Sequence, residues 1–329
     1  MKVTSLFPAV AALALAGCTT CSSFDTKDPL IGNWGLKLPY DRMNAGHMIV
    51  SRNADGKAQA VVLWRWGSPE VSAVETKGDT FVIDHPWKLK IEGKVDGMKL
   101  TAKVVSTLDG KEQGEMIGWR NPPICDKVST KDARFGDPID LLAKGLDGFK
   151  PLVEPGLEKE PPNGWSIKDD NGVKILSNVL PVDEKGEKIH GVNISTVRED
   201  FYDFNLDYDV RVPKDSNSGV YLRGRYEIQT LDSFGKPVDC HNMAAYYGRV
   251  TPSVAAEKPA GEWQHVNVTL YKRHLTVVLN GTTIIDNVPV VGITGGAMDA
   301  NEFVPGPLYL QGDHSDADYK NMILRKVVN

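Results

Sequence analysis

Cysteine and histidine are scarce in this chain, four and seven among 329 residues. No pair of histidines stands at the spacing of a zinc ligand set, which argues against a structural zinc site. Charge of one sign is also missing. The formal net charge is −5, with Lys and Arg interspersed among Asp and Glu. There is then no basic field to hold a phosphate backbone, and nucleic acid is not an expected partner. No P-loop, dinucleotide fingerprint or Gly-x-Ser-x-Gly elbow occurs, which leaves nucleotide chemistry and serine-nucleophile hydrolysis without support. Helix-period apolar stretches of useful length are absent too, and that absence points to an all-β chain.

What is present begins with a leader. Lys2 precedes the apolar run Leu6 to Ala16, too short to span a bilayer and of the length of a signal-peptide core. The run ends in Leu15-Ala16-Gly17-Cys18, which resembles a bacterial lipobox. The resemblance implies cleavage before Cys18, lipidation of that cysteine, and exclusion of residues 1–17 from the fold. It further implies a cell-envelope protein, on the periplasmic or outer-membrane face, whose membrane contact is the lipid anchor. An ordinary signal peptide with a chance cysteine is the alternative. Residues 18–28 read as a polar tether. Cys125 and Cys240 fall in different regions of the chain, and in an oxidising envelope they are candidates for a bridge between domains.

The length suits two domains. Between residues 29 and 121, short apolar runs alternate with turn signals: Gly32–Leu38, His47–Val50, Ala58–Trp66, Phe81–Ile83, Lys88–Ile91 and Lys99–Val105, with Asp96-Gly97 and Asp109-Gly110 as hairpin residues. Asp-Gly tolerates the positive φ that tight hairpins need. Six or so strands, with Gly114–Arg120 as a closing strand, predict a small antiparallel β-barrel or sandwich. Trp34, Trp64, Trp66, Trp87 and Trp119 all lie here, and core or edge packing is favoured over sugar platforms. Residues 122–138 read as a linker. From 139 to 329 strand signals return, Asn280-Gly281 being the sharpest hairpin signal, and a two-sheet sandwich follows.

One stretch of that second domain stands out, Asn217 to Asp232. With period 2, one face carries Val220, Leu222, Tyr226 and Ile228; the other carries Tyr221, Arg223, Arg225, Glu227 and Gln229. Alternation of this kind marks a half-buried strand. The polar row suits a polyhydroxylated ligand lying across a sheet, or else a solvated face with a cross-strand Arg–Glu pair. A two-residue turn at Gly224-Arg225 would separate Arg223 from Glu227, whereas a bent strand or an odd-length turn would keep them together.

The order of motifs from Asp140 to Arg325 resembles the 3-keto-disaccharide hydrolase domain family, a concanavalin-like jelly roll. The residues that carry it are Trp165-Ser-Ile, Asp203-Phe-Asn-Leu206, Asn217–Arg223, Tyr226–Asp232, Pro259-Ala-Gly-Glu-Trp-Gln264, Leu279-Asn-Gly281, Gly306–Gln311 with His314, and Tyr319–Ile323. The opening turn departs from the family pattern, reading Lys144-Gly-Leu-Asp-Gly148, and any role for His241 in Asp239-Cys-His-Asn242 rests on this sequence alone. The resemblance implies cleavage of glycosides whose sugar carries a ketone at carbon 3. Such a ketone acidifies the hydrogen at carbon 2, so elimination followed by addition of water gives net hydrolysis. The reaction needs a base, charge or donors at the enolate oxygen, and a proton source.

Glu227 is the expected base and Arg223 the enolate clamp, with Arg225 as its substitute or as a partner of Glu227. His314 and His241 are candidate proton shuttles. Tyr221, Gln229 and Gln311 would hold hydroxyls, Lys258 and Glu262 would close over the site, and Asp232 would bind substrate or cap a turn. A divalent metal ion held by Glu227, Asp232 and His314 or His241 is the alternative enolate stabiliser. A non-catalytic carbohydrate-binding lipoprotein is the rival function. A conventional glycosidase would need a second carboxylate near Glu227.

Overall fold

The computed structural model describes residues 28–41, 43–125, 127–152 and 160–329. The lipobox with Cys18, and the tether up to residue 27, lie outside the described residues. The protein is all-β. Its first unit is a closed barrel of β1 (Gly32–Lys37), β2 (Ala45–Arg52), β3 (Ala58–Trp64), β4 (Glu70–Lys77), β5 (Thr80–His85), β6 (Leu89–Asp96), β7 (Lys99–Ser106) and β8 (Glu112–Arg120). Each strand pairs antiparallel with the next, and β8 closes onto β1. The strand period explains it. Along β7, exposed Lys99, Thr101 and Lys103 alternate with buried Leu100, Ala102 and Val104, which join Trp34, Met48, Val62 and Ile91 inside the barrel.

The sequence reading found no strand at β4. That strand buries only Ser72, so it carries no apolar stripe to read. Trp34 and Trp64 are buried in the barrel, Trp119 packs against the second unit's core, and Trp66 and Trp87 are exposed.

The second unit comprises β9 (Phe135–Asp140), β10 (Phe149–Leu152), β11 (Trp165–Asp170), β12 (Val173–Asn178), β13 (Asn193–Thr196) and β14 (Phe204–Arg211). It continues with β15 (Asn217–Leu222), β16 (Tyr226–Leu231), β17 (Gln264–Tyr271), β18 (His274–Leu279), β19 (Thr282–Pro289), β20 (Tyr309–Leu310) and β21 (Ala317–Val327). One sheet runs β10-β13-β20-β15-β16; the other runs β11-β12-β21-β14-β17-β18-β19, with β9 also pairing along β21. Residues 122–138 are therefore more than a linker, since β9 begins within them and is held by the last long strand. The two sheets enclose Phe204, Leu206, Tyr208, Val220, Leu222, Tyr226, Ile228 and Leu324 among others, the jelly-roll core.

Cys125 and Cys240 are both free, Cys125 exposed and Cys240 half-buried. The bridge expected between the domains is absent, and side-chain packing joins them instead. Trp119, Gly35, His47 and Leu63 stand opposite one another across β8, β1, β2 and β3. Leu63 and Ala45 belong to the jelly-roll core, with Trp119 packed against it. This row faces outward from the barrel and is mostly apolar, so it buries itself on the neighbouring domain.

Candidate functional site

Strands β15 and β16 form a hairpin. Leu222 pairs with Tyr226, leaving Arg223, Gly224 and Arg225 as a three-residue turn with φ of +55° at Arg223 and +68° at Gly224. The Arg225 amide closes the turn on the Leu222 carbonyl at 3.0 Å. An odd-length turn keeps side chains in register across the hairpin, so Tyr221 stands directly opposite Glu227 and Gly219 opposite Gln229. On the other side of β15, Tyr309 pairs with Tyr221, and the Gln311 amide donates to the Gly219 carbonyl at 2.9 Å. Residues 244–247 run along the outer edge of β16, the Tyr247 amide donating to the Glu227 carbonyl at 3.1 Å.

Two polar rows result, Tyr309–Tyr221–Glu227–Tyr247 and Gln311–Gly219–Gln229, on the face opposite the core residues Val220, Leu222, Tyr226 and Ile228. The Tyr221 and Tyr309 rings stack at 4.2 Å with 14° between planes. Gly219 makes room at the centre. A Cβ there would overlap Glu227 Oε1 and lie 2.9 Å from its Cγ and Cδ, so the glutamate side chain lies across the neighbouring strand.

Glu227 is only 3% exposed, although it sits on the sheet face that points away from the core. Burial pushes its carboxyl up to about 8; a hydrogen bond with Tyr221 opposes the rise and the charge of Asp313 adds to it. No cation contributes. The Tyr221 hydroxyl lies 2.8 Å from the Gly295 carbonyl, which takes its hydrogen bond while Glu227 is protonated and yields it to the carboxylate when Glu227 ionises. At neutral pH most of the population holds that proton.

His314 lies at the exposed rim. Its Nδ1 is 2.6 Å from Asp313 Oδ1 and 3.3 Å from Gln311 Nε2, and the bond to Asp313 raises its pKa. His241 is bonded through Nδ1 to Asp239 and through Nε2 to Ser68 at 2.7 Å, with its ring 5.2 Å from the Tyr247 ring.

The arginines are placed differently from the expectation. Arg223 is buried, donates through Nη2 to the Glu302 carbonyl, and lies over the Tyr202 and Tyr226 rings at 4.5 and 5.3 Å. Tyr226 belongs to the core face, so this guanidinium is turned away from Glu227. Arg225 makes a forked pair with Asp299, at 2.7 Å from Nη2 to Oδ2 and 3.0 Å from Nε to Oδ1. Inside the turn the two-residue period lapses, and both side chains leave the row that the sequence pattern gave them.

The remaining expected residues stand elsewhere. Asp232 accepts from the Asp215 amide at 3.0 Å, a turn-holding role. Lys258 donates to the Trp263 carbonyl at 3.0 Å, and Glu262 is exposed just before β17. Neither has a contact with the Glu227 rows.

Glu227, Asp232 and His314 do not form a ligand set. Among the described residues the gathered donors are Asp239, Cys240 and His241, all within 4.8 Å of one another. Asp239 and His241 are spent on each other, and burial, aided by the charge of Asp239, pushes the Cys240 thiol up to about 11. A depression lined by Lys168, Arg211, Asp316 and Asp318 lies apart from these rows; its Arg211 is paired with Asp318 at 2.6 Å. Tyr309 and Tyr247 escaped the sequence reading because only pairing with the hairpin reveals them, and Asp313 because only the fold brings its charge near Glu227.

A family profile described as a 3-keto-alpha-glucoside-1,2-lyase-like domain matches residues 139–325. No curated protein matches this chain. Among solved structures the chain is similar to proposed glycosyl hydrolases from Parabacteroides distasonis. One shares 24% identity over 58% of this chain and 84% of its own, with a TM-score of 0.43. Another shares 23% over 58% and 100%, with a TM-score of 0.40. The carbohydrate binding module CBM66 from Bacillus subtilis shares 13% over 50% and 97%, with a TM-score of 0.29.

Proposed function

The chain belongs to the family of 3-keto-alpha-glucoside-1,2-lyase-like domains, and from that premise we propose that it cleaves glycosides whose sugar carries a ketone at carbon 3. The observation that carries the reading is Glu227, a buried carboxyl with no cationic partner and a pKa near 8, set between tyrosines. A strongly perturbed acid among convergent polar groups is a site signature.

Ionised, Glu227 is a stronger base than an ordinary carboxylate, and it takes the acidic hydrogen from carbon 2. The electron pair passes into the enolate at carbons 2 and 3; as the ketone at carbon 3 is restored, a second bond forms between carbons 1 and 2 and the bond from carbon 1 to the aglycone oxygen breaks. His314, whose pKa Asp313 raises, supplies the proton to the departing oxygen. Water adding at carbon 1, with return of the proton to carbon 2, completes a net hydrolysis. With Arg223 and Arg225 engaged elsewhere, neutral donors hold the enolate oxygen: the Tyr247 hydroxyl and the Gln229 and Gln311 amides. No metal is needed for these steps. The substrate is a small carbohydrate. On the Leu15–Cys18 pattern we further propose a lipid-anchored protein of the cell envelope, which mass spectrometry of the Cys18 peptide from membranes would test.

Purified protein incubated with a glucoside and with its 3-keto counterpart should release aglycone only from the oxidised sugar. Its kcat/KM should be bell-shaped in pH, with a rising limb through about 8 as the base form of Glu227 appears and a falling limb as His314 loses its proton. A profile whose rising limb is unchanged in Glu227→Gln removes Glu227 as the base. Binding of both sugars without release assigns the lectin-like role.

A further inference from the structure

Through its β3–β4 loop the barrel touches the immediate partners of both tyrosines that flank Glu227. On one side, the Arg65 carbonyl accepts from the Gly296 amide at 2.8 Å, and a Cβ at Gly295 would lie 2.5 Å from the Gly67 carbonyl. Gly295 is the residue whose carbonyl takes the Tyr221 hydroxyl. On the other side, Ser68 Oγ meets His241 Nε2 at 2.7 Å, and the His241 ring stands edge-on to Tyr247. A Cβ at Gly248 would come within 2.6 Å of Ser68 Oγ. The jelly roll thus presents glycine where the barrel loop presses closest. Nearby, a Cβ at Gly292 would overlap the His47 ring.

We propose that this barrel loop buttresses the sugar site from behind, and that Ser68 is a positioning residue which fixes the His241 imidazole against Tyr247. Asp239 accepts a hydrogen bond from Nδ1–H, which leaves Nε2 to accept the Ser68 hydroxyl. With both nitrogens engaged the ring has one orientation, and Tyr247 is packed against it beside Glu227. The first domain then acts on catalysis without touching substrate. This rests on the reading above, in which Tyr247 is a donor to the enolate oxygen.

The test uses the full chain carrying Ser68→Ala or Ser68→Thr. Turnover of a nitrophenyl 3-keto-glucoside by Ser68→Ala should fall about tenfold in kcat with KM little changed, the scale of one hydrogen bond, and Ser68→Thr should restore most of it. Independently of any substrate, nitrogen NMR of the wild type should show His241 as the Nδ1–H tautomer, with an Nε2 shift displaced by hydrogen bonding. Ser68→Ala should remove that displacement and Ser68→Thr keep it. An Nε2–H tautomer in the wild type, or an imidazole signal indifferent to Ser68→Ala, overturns the proposal. So does full kcat in Ser68→Ala. If the wild type cleaves no 3-keto-glycoside, the substrate reading fails and the NMR result still decides the role of Ser68.

Discussion

Among the described residues two glutamates are buried, and they are treated in opposite ways. Glu302, fully buried, lies where the barrel meets the jelly roll. Its Oε2 accepts from the Tyr226 hydroxyl at 3.1 Å and its Oε1 from Asn121 Nδ2 at 2.7 Å, with Arg273 Nη2 at 3.5 Å and His47 Nε2 at 3.9 Å. Burial raises its pKa, against the pull of Arg273, Tyr226, Arg249 and Arg223. Glu227 faces the same desolvation with one hydroxyl to oppose it, and no arginine. Isolated buried charge is costly, and proteins ordinarily compensate it. Where the carboxylate holds two domains together, the compensation is present. At Glu227, the proposed base, the compensation is withheld, and only the Tyr221 hydroxyl opposes the rise.

The comparison breaks most visibly at Glu227→Gln. Removing a general base lowers rate by a factor on the order of 10³, so kcat/KM on a 3-keto-glucoside should collapse while the sheet stays intact. Stability should move the other way. Below the unfolded carboxylate pKa of 4.5 the wild type bears no penalty; between there and about 8 the native state keeps a proton that the unfolded chain gives up. Stability of the wild type therefore declines as pH rises through that window, at about 1.4 kcal/mol per pH unit at most. Glu227→Gln, neutral throughout, should lack this slope, and thermal melting at pH 5 and pH 9 would expose the difference. Parallel slopes would mean that Glu227 ionises in the fold as freely as in water.

Glu302→Gln should do the reverse. It leaves Arg249, Arg273 and Arg223 without their buried counter-charge, and breaking such a set costs about 3 kcal/mol. Urea unfolding should show a lower midpoint, and turnover per folded molecule should stay at the wild-type level. A loss of turnover with unchanged stability would move Glu302 from the joint to the chemistry.

The joint was the part least legible in the sequence. Alternation in residues 217–232 placed Tyr221, Glu227 and Gln229 on one face, because a strand's period belongs to the strand alone. It failed at Arg223 and Arg225, since three turn residues with two positive φ values obey no such period. Nothing in the chain order pairs His47 with Glu302, or Ser68 with His241. Those contacts arise from docking two finished domains, and an outward-facing row such as Trp119, His47 and Leu63 reads as ordinary strand until its partner is present. Tyr309 and Tyr247 were hidden for a related reason, as they join the hairpin from segments that only the folded sheet brings alongside.

The finest test of the contrast is Tyr221→Phe, which removes the one group that opposes desolvation at Glu227 and leaves the ring stacked on Tyr309. The hydroxyl favours the ionised acid, so its loss should raise the Glu227 pKa further and move the pH–rate midpoint upward. A shift of about half a unit to one unit is expected for one hydrogen bond. The same change frees the Gly295 carbonyl beneath the barrel loop, and a small drop in melting temperature should accompany it. An unmoved midpoint would show that Tyr221 donates only to Gly295, and that burial with the charge of Asp313 sets the acidity of Glu227. A downward shift would mean that the tyrosine had been stabilising the protonated acid, with the hydroxyl as acceptor, and Glu227 would then be better suited to giving a proton than to taking one.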